Sequence, residues 1–353
     1  MSNNILISAL DWGMGHASRC VPIIRKLVSE KKHIYIAGSE QQIIFFKLYF
    51  HNSVQYLICP SYKIRYSKKL PLLFKVIIQL PRIIITKRKE HRWLKKAVRE
   101  NNIDLIISDN RFGMYNSNVK SIYITHQLNI KSGTPFQFAI KWHVKTMNAF
   151  TEVWIPDSKD GISGELTFPA PKLQTKIKFI GPLSALKKAG LKKIDNRILV
   201  LLSGPEPQRE ILESKLLELL PRIESAKEIF VVRGSFTTIK DKPIDSKIRI
   251  IDFAQGDELS TLIEEAEIII CRSGYSSLMD LCLFESSAVL IPTPGQSEQE
   301  YLAERMNQKF KIPFLHQKAL HEKSLENAME KAKKTRFPFA EKTNEIEQEL
   351  AQV

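Results

Sequence analysis

Residues 4–27, NILISALDWGMGHASRCVPIIRKL, decide the fold. The run from Ile5 to Leu10 is short, apolar and bounded by turn residues, as a strand buried on both faces of a parallel sheet should be. From Val21 to Leu27 the apolar residues recur at helical spacing, with Pro22 tolerated near the start. Between them lies DWGMGHASRC, residues 11–20, so two glycines, a histidine and an arginine fall on a strand-to-helix turn. Exposed N–H groups and the helix dipole at such a turn favour an anion or a reactive polar group.

The same alternation continues outward. HIYIAG, a helix from Ser39, VQYLIC, IDLIISDN, KSIYITHQ and EVWIPDS follow in the first half. RILVLLSG, a helix from Glu206, EIFVVRGS, IRIIDF, a helix around Leu259–Glu265, EIIICRSG, a helix from Ser277 and AVLIPTP follow in the second. Strands alternating with helices predict parallel sheets covered on both faces. The expectation is an α/β protein of two Rossmann-like, doubly wound domains facing across a cleft. The boundaries expected are 1–181 for the N-terminal domain, 182–195 for a hinge, 196–335 for the C-terminal domain and 336–353 for a final helix that packs back across the hinge.

Composition narrows the classes. The 353 residues suffice for two domains with cores of their own. No apolar run approaches the roughly 20 residues of a membrane span, and the start does not read as a signal peptide. Cys20, Cys59, Cys271 and Cys282 lack metal-site spacing and read as reduced cytosolic thiols. The net charge of +15 is unevenly placed: between Lys63 and Lys96 the sole acid is Glu90, among many Lys and Arg interleaved with apolar residues. Such a segment suits an anionic membrane surface; the alternative is a helix packed on its domain with a solvated basic face. No nucleic acid partner is expected, because no recognised binding module is present.

Ligands of open parallel sheets gather beyond the carboxyl ends of the strands. Asp11 to His16, Asp109-Asn110-Arg111 and His126-Gln127 lie there in the first half. Ser203-Gly204, Arg233-Gly234-Ser235, Arg272-Ser273-Gly274 and the loop after Pro292 lie there in the second. CRSGYSSLMDL, residues 271–281, is the strongest local pattern. Gly274 allows close backbone approach, and the hydroxyls and N–H groups of a helix starting near Ser276 or Ser277 can hold a diphosphate, with Arg272 adding charge. Asp280 can accept from a ribose. The plainer reading of this segment is a capped helix with a surface aspartate.

This segment resembles the donor-nucleotide signature of GT-B glycosyltransferases, especially the family 28 type that includes the lipid-linked peptidoglycan N-acetylglucosaminyltransferase. In that pattern a glycine opens the helix and an acid six positions on binds ribose, here Gly274 and Asp280, with aspartate where the family usually has glutamate. After Pro292, Glu298 and Gln299 match the residues that bind the donor sugar, with Glu300 beside them. RIIDF resembles the strand end whose following backbone holds the base, implying Phe253 and the main chain of Ala254. LLSGPEPQRE stands at the family's phosphate turn: Ser203 and Gly204 keep its small residues, while Pro205 and Pro207 replace glycines. Ser184 stands where an arginine is common, with Lys187 or Lys188 as substitutes.

The resemblance also reads the opening turn. Gly15 and His16 match the end of the family's N-terminal glycine-rich loop, where Gly13 and Gly15 would let backbone approach the substrates. Many inverting members use such a histidine to deprotonate the acceptor hydroxyl, a task suited to an imidazole. Asp109 matches the aspartate that supports this histidine in plant-type relatives. A helix-capping histidine and a plain turn aspartate are the simpler alternatives. His126 is a further candidate acceptor contact. No Asp-x-Asp motif or metal-ligand cluster is present, and Arg272, Arg233 and the Ser203–Gly204 turn are the candidates to stabilise a leaving diphosphate.

The resemblance therefore implies an inverting, metal-independent transferase with no cofactor beyond a nucleotide-sugar co-substrate, probed first as UDP-GlcNAc or another UDP-sugar. The acceptor is a hydroxyl, lipid-linked if the basic segment at 63–96 meets an anionic membrane, and the location is cytoplasmic, peripheral on the inner membrane. GHASRC also resembles the Gly-His-x-x-Arg-Cys stretch of the nucleotide-sugar hydrolase of pseudaminic acid synthesis, which implies water in place of the sugar hydroxyl. A non-catalytic nucleotide-sugar sensor is the third alternative.

Overall fold

A computed structural model describes residues 3–62, 72–129, 137–204, 206–235, 245–338 and 345–351. Among these, the residues of 1–65, 73–185 and 341–353 form one compact unit and those of 186–340 a second.

The first unit opens with β1 (Asn4–Ala9) and α1 (Met14–Ser29), followed by β2 (His33–Gly38), α2 (Glu40–Phe50) and β3 (Gln55–Ile58). Ser39 closes a capping box on α2, its hydroxyl accepting from the Gln42 N–H while the Gln42 side chain accepts from the Ser39 N–H. There follow α3 (Leu72–Glu100), β4 (Leu105–Asp109), β5 (Lys120–Ile124), α4 (Gln137–Met147), β6 (Glu152–Ile155) and β7 (Lys176–Phe179). The seven strands run parallel in the order β3-β2-β1-β4-β5-β6-β7. The direction of winding reverses between β1 and β4, and a crevice beyond the carboxyl ends of those two strands is where such a sheet binds ligands.

Alternate residues of the strands serve opposite faces. Ile5, Ile7, Ile36 and Ile107 pack under Ile23, Ile24 and Leu27 of α1, whereas Leu6 and Ile106 meet Leu94 and Ala97 of α3. The basic segment thus contains a long helix: Ile83, Thr86, Glu90, Leu94 and Ala97 are buried at helical spacing, and Arg82, Ile85, Arg88 and Lys89 are exposed. Glu90 is fully buried, accepting from Arg111 Nε at 2.6 Å, from the Gly113 N–H at 3.0 Å and from the Tyr62 hydroxyl. Residues 63–71, the start of the expected membrane segment, lie outside the described residues.

The second unit holds β8 (Ile194–Leu201), α5 (Gln208–Leu219), β9 (Glu228–Val232), β10 (Ile248–Ile251), α6 (Gly256–Glu265), β11 (Ala266–Cys271), α7 (Tyr275–Leu283), β12 (Ala288–Leu290), α8 (Ser297–Phe310) and α9 (Glu322–Lys333). Its parallel order is β10-β9-β8-β11-β12, with the reversal between β8 and β11. Ile198, Val200, Val231 and Ile270 pack against Leu212 and Leu216 of α5 and Leu325 and Met329 of α9.

Two stretches depart from the sequence reading. KIKF, residues 176–179, which the sequence reading does not mark as a strand, forms β7, paired along β6 from Glu152 to Ile155; a four-residue edge strand is too short to carry a periodic signal. The expected hinge at 182–195 divides between the units at 185/186. The N–H groups of Ala189 and Gly190 donate to the Glu264 carboxylate, both at 2.9 Å, which fixes this part of the chain to α6, and β8 already begins at Ile194. The final helix, α10 (Glu345–Ala351), belongs to the first unit. Leu350 enters the core beneath α1, 1% exposed, and Glu349 pairs with Lys178, which also meets Glu152 at 3.3 Å.

Candidate active site

His16 lies in the first turn of α1 and Asp109 is the last residue of β4, so the two strands flanking the winding reversal deliver both. Nδ1 of His16 is 2.7 Å from Asp109 Oδ1. The His16 side chain is 21% exposed while Asp109 is fully buried. With Nδ1 committed inward to the carboxylate, Nε2 is the ring nitrogen left to accept a proton.

Arg19, one turn along α1 from His16, was no site candidate in the sequence, yet it is the closest partner of Asp109. Its Nε donates to Oδ2 and its Nη2 to Oδ1 at 2.5 Å, a bidentate pair, while Nη1 lies 3.0 Å from Nδ1 of His126. The structure therefore brings His126 into the same cluster, just beyond β5. Cys20 completes it, its Sγ 4.0 Å from Asp109 Oδ2. Burial, then the Arg19 charge, hold the His16 imidazole below its ordinary 6.5. Although burial favours a neutral acid, Arg19 and then His16 keep the Asp109 carboxyl below the usual carboxylate range. Gly13, exposed, precedes α1 in extended backbone and a Cβ there would meet nothing within 4 Å; it leaves the turn open. Gly15 lies within α1.

In the second unit the turns after β8 and β11 lie at the other winding reversal. Ser203 and Gly204 follow β8, and Gly204 has φ +97°, a conformation side chains rarely adopt. Pro205 lies outside the described residues, and Pro207 caps α5. After β11, Gly274 is the N-cap of α7; Ser276 and Ser277 stand half-buried in its first turn and Asp280 half-buried in its second. A helix N-terminus of this kind is suited by its outward N–H groups and dipole to hold an anion.

Arg272 is fully buried and points away from this turn. Its Nη1 donates to the carbonyls of Ile291 and Pro292, each at 3.1 Å, and its Nη2 to that of Gln208 at 2.8 Å. Burial lowers its pKa to about 10. The guanidinium thus ties together the starts of α5 and α7 and the loop after β12. Arg233, expected to face a diphosphate, is also engaged elsewhere: Nε donates to Glu213 and Nη1 to Asp252 Oδ1 at 2.6 Å, and Arg209 joins the chain through Glu213 at 2.5 Å. Glu213 and Asp252 share its charge in this arrangement. Gln299, 8% exposed, accepts the Thr293 N–H at 2.9 Å through Oε1, and its main-chain carbonyl accepts from the buried Ser273 hydroxyl at 2.7 Å. Glu298 stands beside it in the first turn of α8, half-buried. Phe253 is half-buried and Ala254 buried in the segment between β10 and α6. Lys188, a suggested substitute for the missing arginine, pairs with Glu285 at 3.0 Å.

Among the described residues no three His, Cys, Asp or Glu are grouped to hold a metal ion, and no helix is long and apolar enough to cross a membrane.

Comparison with known proteins bears on the family and the fold. The glycosyltransferase family 28 C-terminal domain matches residues 207–353. An uncharacterized glycosyltransferase of Methanopyrus kandleri is 22% identical over 255 residues, spanning 67% of this chain and 71% of its own. The UDP-N-acetylglucosamine–N-acetylmuramyl-(pentapeptide) pyrophosphoryl-undecaprenol N-acetylglucosamine transferase of Caldanaerobacter subterraneus is 24% identical over 161 residues, 42% of this chain and 44% of its own. The crystal structure of MurG from Acinetobacter baumannii superposes with a TM-score of 0.61 at 13% identity, covering 99% of both chains. The chain is a glycosyltransferase of the GT-B fold with a family 28 C-terminal domain.

Proposed function

We propose that this glycosyltransferase moves a sugar from a UDP-linked donor to a hydroxyl acceptor with inversion and without a metal ion. The contact that carries the reading is the 2.7 Å approach of His16 Nδ1 to Asp109 Oδ1 at the winding reversal of the first sheet. In the reaction Nε2 of His16 takes the proton of the acceptor hydroxyl as that oxygen bonds to the anomeric carbon. The bond from that carbon to the diphosphate breaks, and UDP leaves. Asp109 holds the imidazole in the required orientation and stabilises the imidazolium that forms.

The second unit grips the donor. Ser203, Gly204, Ser276, Ser277 and the N–H groups opening α7 take the diphosphate, Asp280 the ribose, Phe253 and Ala254 the base, and Glu298 and Gln299 the sugar. Gly274, Ser273 and Arg272 shape the turn. UDP-N-acetylglucosamine is the first donor to try, because the Caldanaerobacter relative is named for it. That relative's name also specifies a lipid-linked acceptor, and the exposed Arg82, Ile85, Arg88 and Lys89 of α3 would rest on an anionic membrane on the cytoplasmic side.

Calorimetric titration with UDP, UDP-N-acetylglucosamine, UDP-glucose and GDP-mannose, repeated on Asp280→Ala, tests the donor site. Binding of a UDP compound that weakens at least tenfold in the variant supports it, since a hydrogen bond to a charged group contributes about 1.5–3 kcal/mol. No binding to any of the four would remove the assignment. Release of free sugar with no acceptor present, at the rate seen with one, would favour a hydrolase in which His16 activates water. An unaltered complex after prolonged incubation with acceptors would favour a sensor.

A further inference from the structure

The cluster around Asp109 contains a guanidinium with no role assigned so far. Arg19 is 4% exposed and presents its whole fork to the Asp109 carboxylate, from Nε to Oδ2 and from Nη2 to Oδ1. A charged helical residue three positions from His16 would ordinarily keep its head in water; here the guanidinium turns inward to a buried acid.

The geometry poses a choice at one atom. Nδ1 of His16 lies 2.7 Å from Asp109 Oδ1 and 2.8 Å from Arg19 Nη2. If Nδ1 carries the proton it donates to Oδ1, and Nε2 is bare. If Nδ1 is bare it accepts from Nη2, but its lone pair then faces a carboxylate oxygen, and Nε2 holds the proton and cannot act as a base. The orientation of the carboxylate decides between the two, and Arg19 grips both of its oxygens.

We propose that Arg19 is the positioning residue of this site: its fork fixes the Asp109 carboxylate with Oδ1 aimed at His16, which selects the Nδ1–H tautomer and leaves Nε2 free to receive a proton. The same fork orients His126, whose Nδ1 faces Arg19 Nη1 at 3.0 Å. The titratable or charged groups facing this point are Arg19 and Cys20 from α1, Asp109 from β4, and Tyr123 and His126 from β5 and its end. Arg19 reaches both oxygens of Asp109, whereas His16 meets Oδ1 and Cys20 approaches Oδ2. The proposal rests on His16 being the base, but its structural content stands without it.

The test reads the imidazole directly. Long-range proton–nitrogen correlation spectra of 15N-labelled protein report the tautomer and the titration midpoint of each of the 8 histidines, and His16→Gln assigns the resonances of His16. The wild type should show His16 with a protonated Nδ1 and a bare Nε2. Arg19→Lys keeps the charge and loses the fork, so His16 should become a mixture of tautomers. Arg19→Gln removes the charge as well, and its His16 midpoint should rise by about one pH unit or more, as expected when a neighbouring cation is lost beside a carboxylate. His16 spectra in Arg19→Lys identical to the wild type's would overturn the proposal; if that variant does not fold, the tautomer in Arg19→Gln decides by the same criterion. In a transfer assay Arg19→Lys should lower kcat with donor KM unchanged. Because the spectra need no substrate, an inactive wild type with the predicted tautomer would sink the transferase reading and leave this one intact.

Discussion

His16 and Asp109 are 93 residues apart in the chain and 2.7 Å apart in space, joined because α1 starts and β4 ends at the same edge of one sheet. His16→Gln removes the ring nitrogen assigned to proton transfer while leaving a polar side chain in the half-exposed site. Steady-state kinetics should show transfer reduced by about 10²- to 10⁴-fold. Calorimetry should show the donor bound as tightly as by the wild type.

The pH dependence follows from the lowered basicity of His16. A base works when neutral, so kcat should hold as pH falls through 6.5 and decline only at the lower folded-state value. The stability effect has a definite sign. The folded protein binds fewer protons at His16 than the unfolded chain does, so this group favours folding less as pH drops from 6.5 through the folded value. Urea midpoints and rates measured as pH is lowered from neutrality through 6.5 would place both.

Asp109 works in the opposite region. Its folded pKa lies below the ordinary 3.8, so its stabilising contribution is present above that value and is lost as pH falls through the folded one. Asp109→Asn leaves the buried Arg19 charge without its carboxylate. Breaking a buried pair on one side costs about 3–5 kcal/mol, to be read as a shift in the urea unfolding midpoint.

Arg272→Met replaces a buried cation by an apolar side chain of similar length. The carbonyls of Gln208, Ile291 and Pro292 lose their donor, and each buried acceptor left unpaired costs about 1–3 kcal/mol. The variant should melt earlier than the wild type, and UDP should bind more weakly, because two of the turns it ties border the proposed donor site. Thermal unfolding with and without UDP measures both effects.

Leu350→Ala should destabilise the first unit by about 2–5 kcal/mol, the range for such a core truncation. UDP titration of the second unit below the transition should be unchanged. A variant whose UDP affinity fell with its stability would contradict the division of the chain.

The sheet strands were legible because β1, β4 and β11 are apolar runs ended by polar or glycine-bearing turns, a local pattern. The turn glycines, His16 and Asp109 were legible as strand-end residues, and the helix-opening segment at 272–277 by its spacing. What escaped was long-range. Nothing near Arg19 announces that it turns inward, since its partner comes from a different strand. The sequence does not display Glu213 and Asp252 converging on Arg233. The strand at Lys176–Phe179 escaped because β7 is an edge strand whose register is set by β6. The lone acid of the basic segment, Glu90, is buried against Arg111, which charge counting cannot reveal.

The return of α10 to the first unit has a consequence for the nascent chain. Residues 1–185 leave the ribosome first, but the core beneath α1 is closed by Leu350. At about 5–20 residues per second the intervening stretch takes on the order of ten seconds or more to synthesise. Throughout that interval the core that holds Cys20, Ile23 and Ile24 lacks Leu350, while the core of the second unit, built from residues between 198 and 332, can be completed. The unit that is born first is finished last, and its exposed seam is the surface a chaperone would meet.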